Sequence, residues 1–227
     1  MNRIPLLVVA LALPVLAANR SEARPIPAFH AIDVSGGVHL IIKAGGAPAL
    51  TIAGEEKVIS RYRTEVKDGT LVIAPTERNL RHSSEVTVTV SSDKLDSLEA
   101  SGGVEVTIEG GVASTLGLDL SGGVEVTAKT LSLESLAVSA SGGVNLHFEG
   151  ATKRASYDLS GGVDLHAAKL SAGQVKVEAS GGCNLNLRAT EAIEGEASGG
   201  VEVRVSGNPP KRHLDTSGGA DVEFVKS

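Results

Sequence analysis

The tripeptide Ser-Gly-Gly recurs at a near-constant interval, and that recurrence constrains the fold more than any other feature of the chain. It begins at Ser35, Ser101, Ser121, Ser141, Ser160, Ser180, Ser198 and Ser217. From Ser101 onward the intervals are 20, 20, 19, 20, 18 and 19 residues. A period near 20 marks repeated supersecondary units, each too small to bury its own apolar side alone. The interval from Ser35 to Ser101 is 66 residues, about three periods, which leaves room for degenerate units of the same kind.

Apolar residues alternate strictly on both sides of the glycines. Val104, Val106 and Ile108 follow one step, and Val124, Val126 and Ala128 the next; Leu116, Leu118 and Leu120 precede a step, as do Leu136, Val138 and Ala140. A period of two means strands with one buried face, where an amphipathic helix would need spacings of three and four. Each unit therefore supplies a strand, a glycine step, a second strand and a variable link. Stacked units pair in parallel about 4.8 Å apart. The expected fold is all-β: a parallel β-helix (β-solenoid) with coils of about 20 residues and a less regular N-terminal β region. The glycines are then the bends: Gly102, Gly103, Gly122, Gly123, Gly142, Gly143, Gly161, Gly162, Gly181, Gly182, Gly199, Gly200, Gly218 and Gly219. A phosphate-cradling loop is excluded, because such loops open a helix and strand residues follow here.

Aromatic residues are few: Phe29, Phe148, Phe224, Tyr62 and Tyr157, with no Trp. A thin interior filled by Val, Leu, Ile and Ala suits that composition. Residues 1–17 read as a signal peptide: Arg3, then the apolar run "IPLLVVALALPVLA", with cleavage after Ala17. Export to the periplasm, the cell surface or the medium follows, and no further apolar run is long enough to span a membrane. The 21 basic residues face 27 acidic ones, and loss of Arg3 makes the mature chain one unit more negative. Nucleic acid is an unsuitable partner for such a chain. The single cysteine, Cys183, takes the place of a repeat valine and is expected to be a buried, inert thiol.

Residues 28–227 are expected to form one domain, with 28–100 as irregular N-terminal coils or a cap and 101–227 as the regular repeats. Within the former, "EVKDGTLVI" carries Asp68-Gly69 between alternating runs, a hairpin signal. "GEEKVISRYR" suits a helical turn or a bulged strand. At the other end, Glu223 and Lys226 are placed to blunt an exposed edge.

The "SGGV[EDN][VL]" repeats, the "VKDGTLVI" hairpin and the "DKLDSLEASGG" run-in resemble the bacterial domain family called putative auto-transporter adhesin, head GIN domain. The resemblance covers residues 28–227. It implies a right-handed parallel β-helix, a secreted or surface location and an adhesin-like role. The family step reads closer to Ser-Gly-Ser-Gly-Asp; here the second Ser is Gly and the acidic residue follows a Val. No catalytic residues carry over.

Two outward columns stand out. Two residues before each Ser lie Asp33, Glu99, Asp119, Ser139, Asp158, Glu178, Glu196 and Asp215; four after it lie His39, Glu105, Glu125, Asn145, Asp164, Asn184, Glu202 and Asp221. A solvated outer face accounts for such columns, and clustered carboxylates also suit Ca²⁺. No other cofactor is expected. His147 and His166 share one repeat position in adjacent coils, with Asp164 beside them, a donor set for Zn²⁺ or Cu²⁺. No hydrolase constellation is present. The expected function is therefore a non-catalytic, secreted β-helix that binds a cell-envelope or surface macromolecule such as a glycan. The alternatives are a self-assembling envelope protein and a Ca²⁺-assisted polysaccharide-active enzyme, for which Arg204 beside Glu202 is the candidate base.

Overall fold

The computed structural model describes residues 19–77, 85–92, 94–109 and 112–225. The expected signal peptide at 1–17 lies outside the described residues, as does Lys226. The N-terminal part contains β1 (Asn19–Arg24), β2 (Ala31–Ser35), β3 (Val38–Ala44), β4 (Ala49–Glu55), one helical turn α1 (Glu56–Ile59), β5 (Tyr62–Lys67), β6 (Thr70–Pro75) and β7 (Val86–Ser92). The repeats contain β8 (Ser97–Glu109), β9 (Thr115–Gly181), β10 (Asn184–Gly199), β11 (Glu202–Ser206), β12 (Lys211–Gly218) and β13 (Asp221–Phe224). The described residues are all-β apart from α1, and their strands join in one mixed sheet.

In the repeats every pairing is parallel and steps by one period. β8 lies on β9 with Glu99 opposite Asp119, Ser101 opposite Ser121 and Val104 opposite Val124. β10 lies on β9 with Leu165 opposite Leu185 and Ser180 opposite Ser198, and β12 continues with Ser198 opposite Ser217. Val104, Val106 and Ile108 are buried, and so are Val124, Val126 and Ala128 beneath the next step. Each fully buried aliphatic side chain of this size stabilises by about 1.5–3 kcal/mol. Phe148 and Tyr157 are the largest rings in this interior, and burial pushes the Tyr157 phenol far above its ordinary range.

The two glycines of each step are not equivalent. The first has positive φ throughout the column, for instance +99° at Gly142 and +95° at Gly161. A Cβ on Gly142 would sit 2.9 Å from the Gly122 carbonyl oxygen, and one on Gly161 equally close to that of Gly142. Only glycine fits where backbones approach so closely in a left-handed conformation. The second glycine has room: a Cβ at Gly143 would meet its nearest neighbour, the Gly122 oxygen, at an ordinary 3.9 Å.

The N-terminal part departs from the expectation of parallel coils. The Ser35 step packs directly on the Ser101 step, with Ser35 opposite Ser101 and Val38 opposite Val104. The segment between them is therefore not a run of rungs separating the two steps. Its strands β6 and β7 lie on the far side: β6 pairs parallel with β2, and β7 parallel with β3. Beyond these the pairing reverses, with β5 antiparallel to β6, β4 antiparallel to β7 and β1 antiparallel to β4. The β5–β6 reversal is the Asp68-Gly69 turn, both residues having positive φ (48° and 80°), as a tight hairpin requires. β1 was not evident as a strand from its sequence, "NRSEAR". Arg24 fastens it, donating to the carbonyl oxygens of Tyr62 (2.7 Å) and Ile59 (3.0 Å) and to Thr64 Oγ1 (3.1 Å).

The last coil ends differently. Leu214, Ala220, Val222 and Phe224 are only half-buried. Arg212 stands opposite Ile193, at a core register position, and its guanidinium lies 4.4 Å over the Phe224 ring. It is held there by the Pro209 carbonyl (2.9 Å) and Asn208 Oδ1 (2.7 Å).

Candidate functional site

Parallel, in-register pairing converts each sequence column into a physical one. Before the glycines, Asp33 faces Glu99, Glu99 faces Asp119, Glu178 faces Glu196, and Glu196 faces Asp215. After them, His39 faces Glu105 and Glu105 faces Glu125; Asp164 faces Asn184, Asn184 faces Glu202, and Glu202 faces Asp221. Asp119, Asp158, Glu178, Glu196, Asp215, Glu99, Glu105, Glu125 and Asp221 are exposed; Asp33, Asp164 and Glu202 are half-buried. Like charges one strand apart repel by about 0.9 kcal/mol even at the permittivity of water.

Several neighbours relieve that repulsion. Asn184 donates to Asp164 Oδ1 at 2.9 Å. Lys176 sits 2.6 Å from Glu178, and hydrogen bonding and attraction to Glu178, with weaker pulls from Glu194 and Asp158, raise its pKa. Arg204 bridges Glu202 (2.5 Å) and Glu223 (3.3 Å). Arg204 is thus committed to two carboxylates in adjacent coils rather than poised as a base.

The sequence did not single out the cations on the same wall. Arg154, Lys176 and Lys211 line a shallow concavity of about 420 Å³ with Ser156, Gln174 and Glu194. Arg154, Gln174 and Lys211 all lie six residues before a repeat Ser, so the repeat alignment held the signal. The acidic wall is therefore interrupted rather than uniform.

The two repeat histidines meet. The His147 and His166 rings stack with centroids 4.6 Å apart and planes 11° from parallel. Asp164 does not join them; its carboxylate takes the Asn184 amide in the next coil instead. Among the described residues no three His, Cys, Asp or Glu side chains converge to hold a metal ion. Cys183 is buried at its valine position, its thiol directed at the Ser180 carbonyl (3.4 Å), and burial raises its pKa. Among the described residues no helix is long and apolar enough to cross a membrane.

Register ladders and stacked glycine bends define a class: an all-β protein with one mixed sheet, whose parallel strands display the same polar position one sequence period after another. The chain belongs to the family described as putative auto-transporter adhesin, head GIN domain, which matches residues 28–209. The fold is similar to that of a putative adhesin from Bacteroides fragilis NCTC 9343, with a TM-score of 0.82 at 22% identity over 92% of this chain and 97% of that one. It is also similar to a putative lipid binding protein from Parabacteroides distasonis ATCC 8503 (TM-score 0.70, 18% identity, 91% and 96% covered). A putative adhesin from Parabacteroides merdae ATCC 43184 has a TM-score of 0.66 at 15% identity, with 91% and 96% covered. No curated protein matches the chain.

Proposed function

We propose that the chain is an exported, non-catalytic binding module, its Ser-Gly-Gly repeats wound as a right-handed parallel β-helix, that presents its acidic outer columns to a cell-envelope or surface macromolecule. The observation that carries the proposal is the in-register stacking of carboxylates along the wall, from Asp33 through Glu99 to Asp119 and from Glu178 through Glu196 to Asp215. A chain selected for stability alone gains nothing from such rows of like charge. A partner with basic or hydroxyl-bearing groups at a matching spacing does gain from them. The parallel step of 18 to 20 residues supports the β-helix reading, and the adhesin names of the family and of two of its structural neighbours support the role. The signal-peptide-like sequence at 1–17 supports export.

Fractionation of cells into periplasm, outer membrane and medium tests the location; retention in the cytoplasm overturns it. Binding of the purified chain to envelope fractions tests the role. Conversion of Glu99, Asp119, Glu178 and Glu196 to their amides is expected to abolish binding at low ionic strength while leaving the fold intact. Equal binding by the amide variant overturns the acidic-column reading. Ca²⁺ bridging between column and partner requires that a chelator release the bound chain.

A further inference from the structure

Five histidines fall among the described residues, and three of them face a carboxylate. His30 lies 3.2 Å from Asp96, His39 lies 3.8 Å from Glu105, and His213 lies 3.8 Å from Asp215. His147 and His166 instead face each other, and neither ring has a hydrogen-bond or ion-pair partner among the described residues. Each neutral imidazole keeps one nitrogen lone pair free to accept. Adjacent parallel strands thus carry two unused nitrogen donors side by side, on a backbone fixed by the repeat.

The surroundings suit a small cation. The pair borders an open concavity of about 350 Å³ whose rim also carries Glu149, Lys169 and Asn186. Glu149 is held by Lys169 at 3.0 Å, and Asn186 stands beside His166 in register. Metal–imidazole bonds of 2.0–2.1 Å in a tetrahedral arrangement place two donor nitrogens about 3.3 Å apart. In the stacked arrangement the two ring planes are nearly parallel, so a shared ion requires the exposed His166 side chain to leave the stack and turn its ring plane across that of His147. Imidazole donors select late first-row cations over Ca²⁺ and Mg²⁺, with Cu²⁺ ahead of Zn²⁺.

We infer that His147 and His166 form a two-imidazole site for a divalent transition-metal ion, Cu²⁺ tighter than Zn²⁺, with its remaining coordination positions open to water or to donors from a partner. The site is separate from the acidic columns, and its failure leaves the adhesin-like reading untouched.

The test is Cu²⁺ titration of the untagged chain at neutral pH, read by calorimetry and by electron paramagnetic resonance, for the native protein and for His147→Ala, His166→Ala and His213→Ala. Melting curves establish that each variant is folded; should His147→Ala be impaired, the exposed His166 decides. One tight Cu²⁺ with hyperfine coupling to two nitrogens is expected. Either His147→Ala or His166→Ala should weaken it by at least about tenfold, the lower bound seen even for loss of an outer-shell partner. His213→Ala should leave it unchanged. Equal affinity in His166→Ala and native protein, or no Cu²⁺ binding in the native protein beyond that of His166→Ala, overturns the site.

Discussion

The repeats and the N-terminal cap solve the same problem with opposite means. From Ser97 onward each strand segment rests on an almost identical one a period away, and the pairings among the described residues are parallel. On the far side of β2 and β3 no second Ser-Gly-Gly step follows; β6 and β7 pair there in parallel, and β5, β4 and β1 close the end with antiparallel pairs. The edge strands β1 and β5 carry Arg20, Glu22 and Arg24, and Arg63, Glu65 and Lys67, an alternation of charges that discourages a further strand from joining. At the other end the last described strands, β12 and β13, keep the parallel pairing, and Arg212 covers Phe224. A repeat protein thus takes its interior from periodicity and its ends from departures out of it.

Mutation can break this contrast most sharply at the glycine column. Gly142→Ala introduces both a strained positive φ and a Cβ 2.9 Å from a carbonyl oxygen, and we expect a loss of about 3 kcal/mol in urea unfolding. Gly143→Ala, one residue on, should stay within about 1 kcal/mol of native. Equal losses at both positions would mean that the stacked bend is not what demands glycine.

In the cap, Arg24→Ala should cost about 2 kcal/mol, because one charged side chain supplies hydrogen bonds to three residues on two neighbouring segments. Hydrogen exchange should show the loss confined to residues 19–24 and their partners in β4, with the repeats unchanged. Uniform loss of protection along the chain would show instead that cap and repeats unfold as one unit.

At the opposite end, Arg212→Leu removes a cation–π contact worth about 0.5–1 kcal/mol and leaves an apolar edge. Light scattering is expected to rise with concentration for this variant and not for the native chain. Matching curves would remove Arg212 from its role as a plug.

The smallest effect belongs to the outer wall. Glu196→Gln relieves repulsion from Glu178 and Asp215 and should raise stability by under about 1 kcal/mol at low salt, with the gain fading at 1 M salt. A gain that persists at high salt would point to packing rather than charge. Millimolar Ca²⁺ should raise the native melting temperature and the Glu196→Gln melting temperature less.

Much of this molecule could be read from one chain of letters because its contacts repeat. Val104, Val124 and their counterparts announce an inward face by alternation, and Ser101 opposite Ser121 follows from a constant interval. The acidic columns were legible for the same reason, since a shared offset from Ser becomes a shared place on the wall once strands stack in register. The hairpin at Asp68-Gly69 was legible from local turn chemistry alone.

What resisted such a reading was decided by long-range packing. Nothing in the sequence between Ser35 and Ser101 states that β4 to β7 lie beyond β2 and β3, so that Ser35 meets Ser101 directly. The strand at 19–24 has no alternation to reveal it; it exists because Arg24 finds carbonyls on α1 and β5. The offset of His147 and His166 predicted that they would be neighbours, but only side-chain packing decided that they stack on each other while Asp164 turns to Asn184. Periodicity specifies which backbone positions are stacked; which side chains then pair depends on rotamers and on partners distant in the chain, and a linear pattern carries neither.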